Sequence, residues 1–130
     1  MRCDPFVSAV HARDPEAMRD VLAPEVRFLS PVVFRPYEGR DVVLAILGAA
    51  MRVFDDFSYA HRLEDGDVAA LIFAARIGDR AVDGLDLLSF DADGLVTELK
   101  VMVRPMSGLH ALAEAMGREL EALGLAPAAG

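Results

Sequence analysis

Asp86 is the residue whose type and setting most directly suggest chemistry. It lies in "VDGLDLLSFDADGLV", residues 82–96, next to Leu85, Leu87 and Leu88. Asp is among the poorest strand residues, and a buried carboxylate is costly unless something pairs with it. On a strand its same-face neighbours are Gly84, Leu88 and Phe90. Alone among apolar side chains, the carboxyl holds its proton more tightly and becomes a proton donor or shuttle. The competing reading is a structural ion pair. Arg76 is the one charge in "ALIFAARI", and the short "GDR" turn can bring it across a hairpin to Asp86 or Asp83. Neutralised by Arg76, Asp86 would be ionised and structural.

Other polar groups offer less. Tyr37 and Tyr59 carry hydroxyls that could meet a ligand, but an amphipathic ring in a partly buried loop or strand is the plainer account of each. His11, His61 and His110 are far apart, with no HxH or HxxxH spacing, so no metal site is expected. The single cysteine, Cys3, excludes an intrachain disulfide and a thiolate zinc cluster, and it fits a reducing cytoplasm.

These residues must be positioned by a mixture of helices and strands. "DPFVSAVHARD" and "DPEAMRDVLAPE" each read as a short helix, with Asp4 and Asp14 as caps, each followed by proline. Pro24 is expected to stop the second. "EVRFLS" alternates as a strand, and "PVVFRPYEG" is a proline-punctuated loop whose large apolar side chains should pack over something. "GRDVVLAILGAAMRVFDD" is a helix apolar over a wide arc, with Gly48 offset by close packing. The period then changes to two. "DFSYAHRLE" alternates Phe57, Tyr59, His61 and Leu63 against Ser58, Ala60, Arg62 and Glu64. "VAALIFAARI" is so apolar that both of its faces should be covered. "EDGD", "GDR" and "DADG" are tight-turn signatures between four strands. A last helix at about 107–123 begins at Ser107, and "APAAG" is expected to fray.

The order predicts one α+β domain over 1–130, a curved antiparallel sheet wrapped around N-terminal helices, plus a C-terminal helix. Such a cone has an interior able to hold a small apolar ligand. Candidate lining residues are Phe6, Phe28, Tyr37, Leu47, Met51, Phe54, Arg76, Leu88, Phe90, Leu99, Val101 and Val103, although core packing accounts equally for any one apolar member.

The 130 residues are 54% hydrophobic and 26% charged, the balance of a folded globular chain, and the net charge is −8. No basic stripe marks a nucleic-acid partner, and the excess acid argues against an anionic membrane surface. No apolar run reaches the length of a membrane span, and "MRCDPFVSAV" lacks the apolar core of a signal peptide. A cytoplasmic protein is expected.

Over residues 5–106 the chain resembles the nuclear-transport-factor-2-like, or SnoaL-like, superfamily. The resemblance rests on "ARDPEAMRDVLAPEVRF", the glycine in "YEGRDVV", and "LDLLSFDADGLVTELKVMV". It implies a cone fold and dimerisation through the outer sheet face. It also implies cofactor-independent chemistry of the isomerase, cyclase or dehydratase kind. In ketosteroid isomerase-like members a cavity-facing acid occupies the position of Asp86; that enzyme is a standard example of a carboxylic acid kept protonated to bind an oxyanion. The same likeness adds Ser30 to the cavity lining, at the proton-shuttling base position, and puts the oxyanion-hole phenol at Phe6; neither residue has the required group. The polyketide cyclase-like pattern would take Arg76 as partner of Asp86, and the epoxide-hydrolase pattern lacks its last carboxylate in "KVMVR". Three functions are therefore carried forward: an enzyme using Asp86 as acid/base, a non-catalytic binder of an apolar ligand, and a dimeric interaction module with a filled interior.

Overall fold

A computed structural model describes residues 1–125. The expected frayed end, "APAAG", lies outside the described residues. The chain runs α1 (Asp4–Ala12), α2 (Pro15–Val21), β1 (Leu22–Leu29), β2 (Tyr37–Glu38), α3 (Arg40–Val53), β3 (Asp55–Asp65), β4 (Val68–Ile77), β5 (Arg80–Phe90), β6 (Val96–Arg104) and α4 (Met106–Ala122). It is α+β, and its strands form one curved sheet in the order β2-β1-β6-β5-β4-β3. The last four strands make an antiparallel meander. β1 joins it in parallel, beside β6.

Local chemistry explains most boundaries. The Asp14 side chain accepts a hydrogen bond from the Glu16 N–H at 3.0 Å and caps α2. Asp91 Oδ1 accepts from the N–H groups of Asp93 and Leu95, both at 2.9 Å, which closes the β5–β6 turn. Other expectations need correction. Asp4 is the first residue of α1 rather than its cap, which is Cys3. Pro24 lies inside β1, and α2 has already ended at Val21. α4 is capped at Pro105, with Ser107 inside the helix. A Cβ at Gly48 would meet only the end of Arg52, so no close packing requires that glycine. In the β1–β2 loop, Phe34 is 91% exposed, whereas Val33 is half-buried.

The sheet is covered on its inner face. Phe6, Val7, Ala9 and Val10 of α1 and Val43 and Ile46 of α3 share one buried core with Leu71, Leu88, Phe90, Val96 and Leu99 of the sheet. A second cluster joins Phe54, Phe73, Ala75, Ile77 and Val82 to Leu112 of α4. The outer face of β4 is less covered than its composition suggests: Ala70, Ile72 and Ala74 are only half-buried. β3 departs from simple alternation. Tyr59 pairs with Phe73 but His61 pairs with Ile72, so a bulge lies between them. Beyond it the phase is reversed, and Leu63 is 62% exposed.

Candidate functional site

Between the inner sheet face and α1, α3 and α4 lies a cavity of about 210 Å³. Leu99, Val101, Phe73 and Asp86 line it from the sheet, Phe6 and Val10 from α1, and Leu47, Met51 and Phe54 from the region of α3. Met116, Gly117 and Leu120 of α4 face it, as do Ser30, Pro31, Val32 and Val33 of the loop after β1. Val32 and Gly117 are exposed and mark its mouth, whereas Asp86, Phe73 and Leu112 are buried.

Register explains what reaches the cavity from the sheet. Phe28, Leu99, Leu88 and Ala69 form one cross-strand row, and Val101, Asp86 and Leu71 another. Leu29 pairs with Lys100, so Ser30 comes level with Val101 at the end of the second row. Side chains two apart share a face, which turns Asp86 inward with Gly84, Leu88 and Phe90. Asp86 is the one buried charged or polar residue among those described.

Its partner is a phenol. Tyr59 Oη donates to Asp86 Oδ2 at 2.9 Å. Burial pushes the Asp86 carboxyl up to about 7, and the Tyr59 hydrogen bond holds it lower than burial alone would. The Tyr59 hydroxyl is pushed well above the ordinary phenol range, by burial first and then by the neighbouring Asp86 charge. Tyr59 therefore keeps its proton, while the acid is present in both forms at neutral pH. The phenol is held by rings: Phe57 is edge-on to Tyr59 at 5.0 Å and stacked on Phe73 at 4.7 Å, and Phe54 meets Phe73 edge-on at 5.6 Å. Edge-to-face and offset pairs of this kind are favourable beyond the area they bury.

Removing the phenolic hydroxyl has a defined consequence. In Tyr59→Phe the Asp86 carboxyl should titrate above 7, because the lost hydrogen bond favours the ionised form. Carboxyl NMR titration reads this directly. A fall of the midpoint would mean that the bond does not favour the carboxylate.

Four expected lining residues lie elsewhere. Arg76 is exposed on the outer face, opposite Ala81, and donates to the Asp79 carbonyl oxygen at 3.0 Å. Asp86 is instead opposite Leu71, so the Arg76 pair does not form. Asp83 pairs with Arg104 at 2.8 Å. Leu88 and Phe90 face inward but are consumed in the core with Val7, Leu22 and Val96. Val103 is half-buried beside the Phe73–Leu112 cluster. Conversely, the Phe57–Phe73–Tyr59 wall and the α4 face were not assigned to a cavity from the sequence. The stripe Leu109, Leu112, Met116 and Leu120 was the signal for α4. For Tyr59 the sequence offers a hydroxyl that could meet a ligand, but not its reach to Asp86, which depends on three strands.

Among the described residues, no group of three His, Cys, Asp or Glu is placed to hold a metal ion, and no helix is long and apolar enough to cross a membrane.

The chain matches the model of the SnoaL-like domain over residues 4–99. No curated protein matches it. Among solved structures it is similar to a steroid delta-isomerase from Pseudomonas aeruginosa, with 40% identity and a TM-score of 0.89, over 94% of this chain and 90% of that one. It is also similar to a bacterial protein with a cystatin-like fold from Silicibacter pomeroyi, with 30% identity and a TM-score of 0.88, over 92% and 85% of the two chains. A SnoaL-like polyketide cyclase from Shewanella denitrificans shares the fold at 16% identity and a TM-score of 0.65, over 93% and 95%. With the matched domain spanning most of its length, and with these relatives, the chain belongs to the SnoaL-like family.

Proposed function

We propose that this protein is a cofactor-independent enzyme that moves a proton next to the carbonyl of an apolar small molecule, with Asp86 as acid/base. The observation that carries this reading is the Tyr59–Asp86 pair facing a largely apolar cavity. A group titrating near the working pH transfers protons most effectively in both directions, and Asp86 titrates at about 7. In its ionised form, the carboxylate takes the α-proton, and the C–H electron pair passes into the carbonyl system as an enolate. The new Asp86 O–H then returns the proton to oxygen or to another carbon. Tyr59, donating to Oδ2, leaves Oδ1 for the substrate and stabilises the carboxylate between the two transfers.

The 40% identical steroid delta-isomerase supports this class of reaction. Ser30 and Phe6, which both line the cavity, supply neither a second carboxylate nor a second phenol. The proposed chemistry therefore rests on one carboxyl. The cavity-lining side chains, Phe6, Phe28, Tyr37, Leu47, Met51, Phe54, Leu99 and Val101 among them, would shield the enolate from water.

The test is exchange of α-protons in heavy water, followed by NMR, on cyclohexanone, 2-tetralone and a β,γ-unsaturated 3-ketosteroid. Wild type should exchange at least one of them faster than buffer. Asp86→Asn should lose about 10²–10⁴-fold of that rate. If a ketone binds and none exchanges, the protein is a binder that orients its ligand through Asp86, and the enzyme reading fails.

Two copies are also proposed to pair through the outer sheet face. Ile72, Leu85 and Met102 surround a shallow depression there, with Asp83 and Arg104 at its edge. This supports a self-complementary contact, which sedimentation would read as a dimer.

A further inference from the structure

Besides Asp86 and the phenols Tyr37 and Tyr59, the cavity wall carries the hydroxyl of Ser30, and its hydrogen bonds give it a direction. Ser30 Oγ accepts from the N–H groups of Val32 at 2.9 Å and Val33 at 3.5 Å. A serine hydroxyl has two acceptor lone pairs and one donor hydrogen. With both lone pairs turned to the loop backbone, the remaining function is the O–H donor. Ser30 is therefore a poor base here but an oriented donor in the lining of the cavity.

Its position relative to Asp86 follows from the sheet. Ser30 follows Leu29, whose partner is Lys100, so the β1–β6 register carried on by one residue brings it to Val101, which pairs with Asp86. The two polar groups flank Val101 across two strand intervals, so their backbones are about 10 Å apart. Both point inward from a concave face, which shortens the gap between their oxygens. That span suits a six-membered ring with an oxygen at each end. Size agrees: an apolar cavity of about 150 Å³ takes up benzene, and about 210 Å³ adds room for two or three more atoms rather than three more rings. Charge agrees as well. Among the described residues no Lys, Arg or His lines the cavity, and Asp86 is the one carboxyl that does. An anionic ligand would lose its hydration without gaining a counter-charge.

We infer that the cavity takes a neutral, single-ring ligand bearing oxygen functions on opposite sides, one at Asp86 and the other accepting from Ser30. This rests on reading the cavity as the functional site, and it narrows the substrate class below that of four-ring steroids.

Binding alone tests it, with no turnover required. Calorimetry at pH 7 would use 4-methoxyphenol, the isosteric 4-ethylphenol, 4-hydroxybenzoate and estradiol. A pocket without a second anchor prefers the more apolar ethyl compound. The expected result is a preference of about fivefold for 4-methoxyphenol, at least about tenfold weaker binding of the benzoate, and weaker binding of estradiol. Ser30→Ala should reverse the methoxy-over-ethyl preference. A wild type that prefers 4-ethylphenol overturns the Ser30 anchor without needing the variant. Tightest binding by estradiol, or equal binding by the benzoate, overturns the ligand class, and so does failure of all four to bind. Each of these outcomes is separate from the exchange assay. Ordered binding without α-proton exchange would leave the ligand class standing and remove the enzyme.

Discussion

Asp86→Asn should melt higher than wild type at pH 8.5 and no higher at pH 5, while losing the proton-transfer activity proposed above. The sign comes from linkage. Burial raises the folded-state carboxyl from 3.8 to about 7, so the folded chain binds this proton more tightly than the unfolded chain. Stability from that difference is fully present below the ordinary carboxylate range. It is lost as pH rises toward about 7, after which the loss is constant. That difference corresponds to roughly 4 kcal/mol. Asparagine removes this loss and still offers Tyr59 an acceptor oxygen. Its buried NH₂ group costs about 1–3 kcal/mol if it finds no partner. The net gain at pH 8.5 is therefore on the order of 1–3 kcal/mol, several degrees for a chain of this size. Melting curves at the two pH values suffice. A variant less stable than wild type at pH 8.5 would mean that the Asp86 carboxyl is stabilised by a partner other than Tyr59, and that it titrates low. The opposite responses of stability and activity are what distinguish a strained functional acid from a structural one.

The parts of this arrangement that local sequence can specify were legible in it. Asp-Pro openings marked α1 and α2, the change of period marked the meander, and an aspartate inside a leucine-rich strand marked the cavity-facing position. The partner of that aspartate was not legible, for two physical reasons. Arg76 looked available because it was the one charge on the neighbouring strand. However, the two-residue turn at Gly78 and Asp79 pairs Ile77 with Arg80. Counting back from there sets Asp86 against Leu71 and turns Arg76 outward. Tyr59 offers a candidate ligand hydroxyl, but its alternation with Phe57, His61 and Leu63 gives no hint of which of the four faces the cavity. The bulge after it divides them, sending Leu63 to solvent. Nothing in an isolated strand announces that a phenol will reach across β4 to β5. The exposed Phe34 belongs to the same class: loop geometry, rather than residue type, decides which side chain of that loop enters the cavity.

Gly84→Ala should be the most disruptive single methyl addition at the site. A Cβ at position 84 would overlap the ring carbons Cζ, Cε2 and Cε1 of Phe73. The Phe73 ring thus lies over β5 where that strand has no side chain. Phe73 is 1% exposed and stacked on Phe57, so the ring has nowhere to move except toward the cavity. Overpacking of this kind costs about 1–3 kcal/mol. The further consequence is positional. Tyr59 rests edge-on against both Phe57 and Phe73, so displacing Phe73 lengthens or breaks the bond from Tyr59 to Asp86, two residues along β5. Gly84→Ala should therefore lower the melting temperature by several degrees and raise the midpoint of Asp86, as is expected of Tyr59→Phe. Pairing it with Phe73→Leu, which removes the atoms that collide, should recover part of the stability. The aromatic support for Tyr59 would remain missing, so the Asp86 midpoint should stay high. Full recovery of both would separate the phenol from the ring stack. Recovery of stability alone would establish Gly84 as the residue that lets the aromatic wall hold the acid's partner in place.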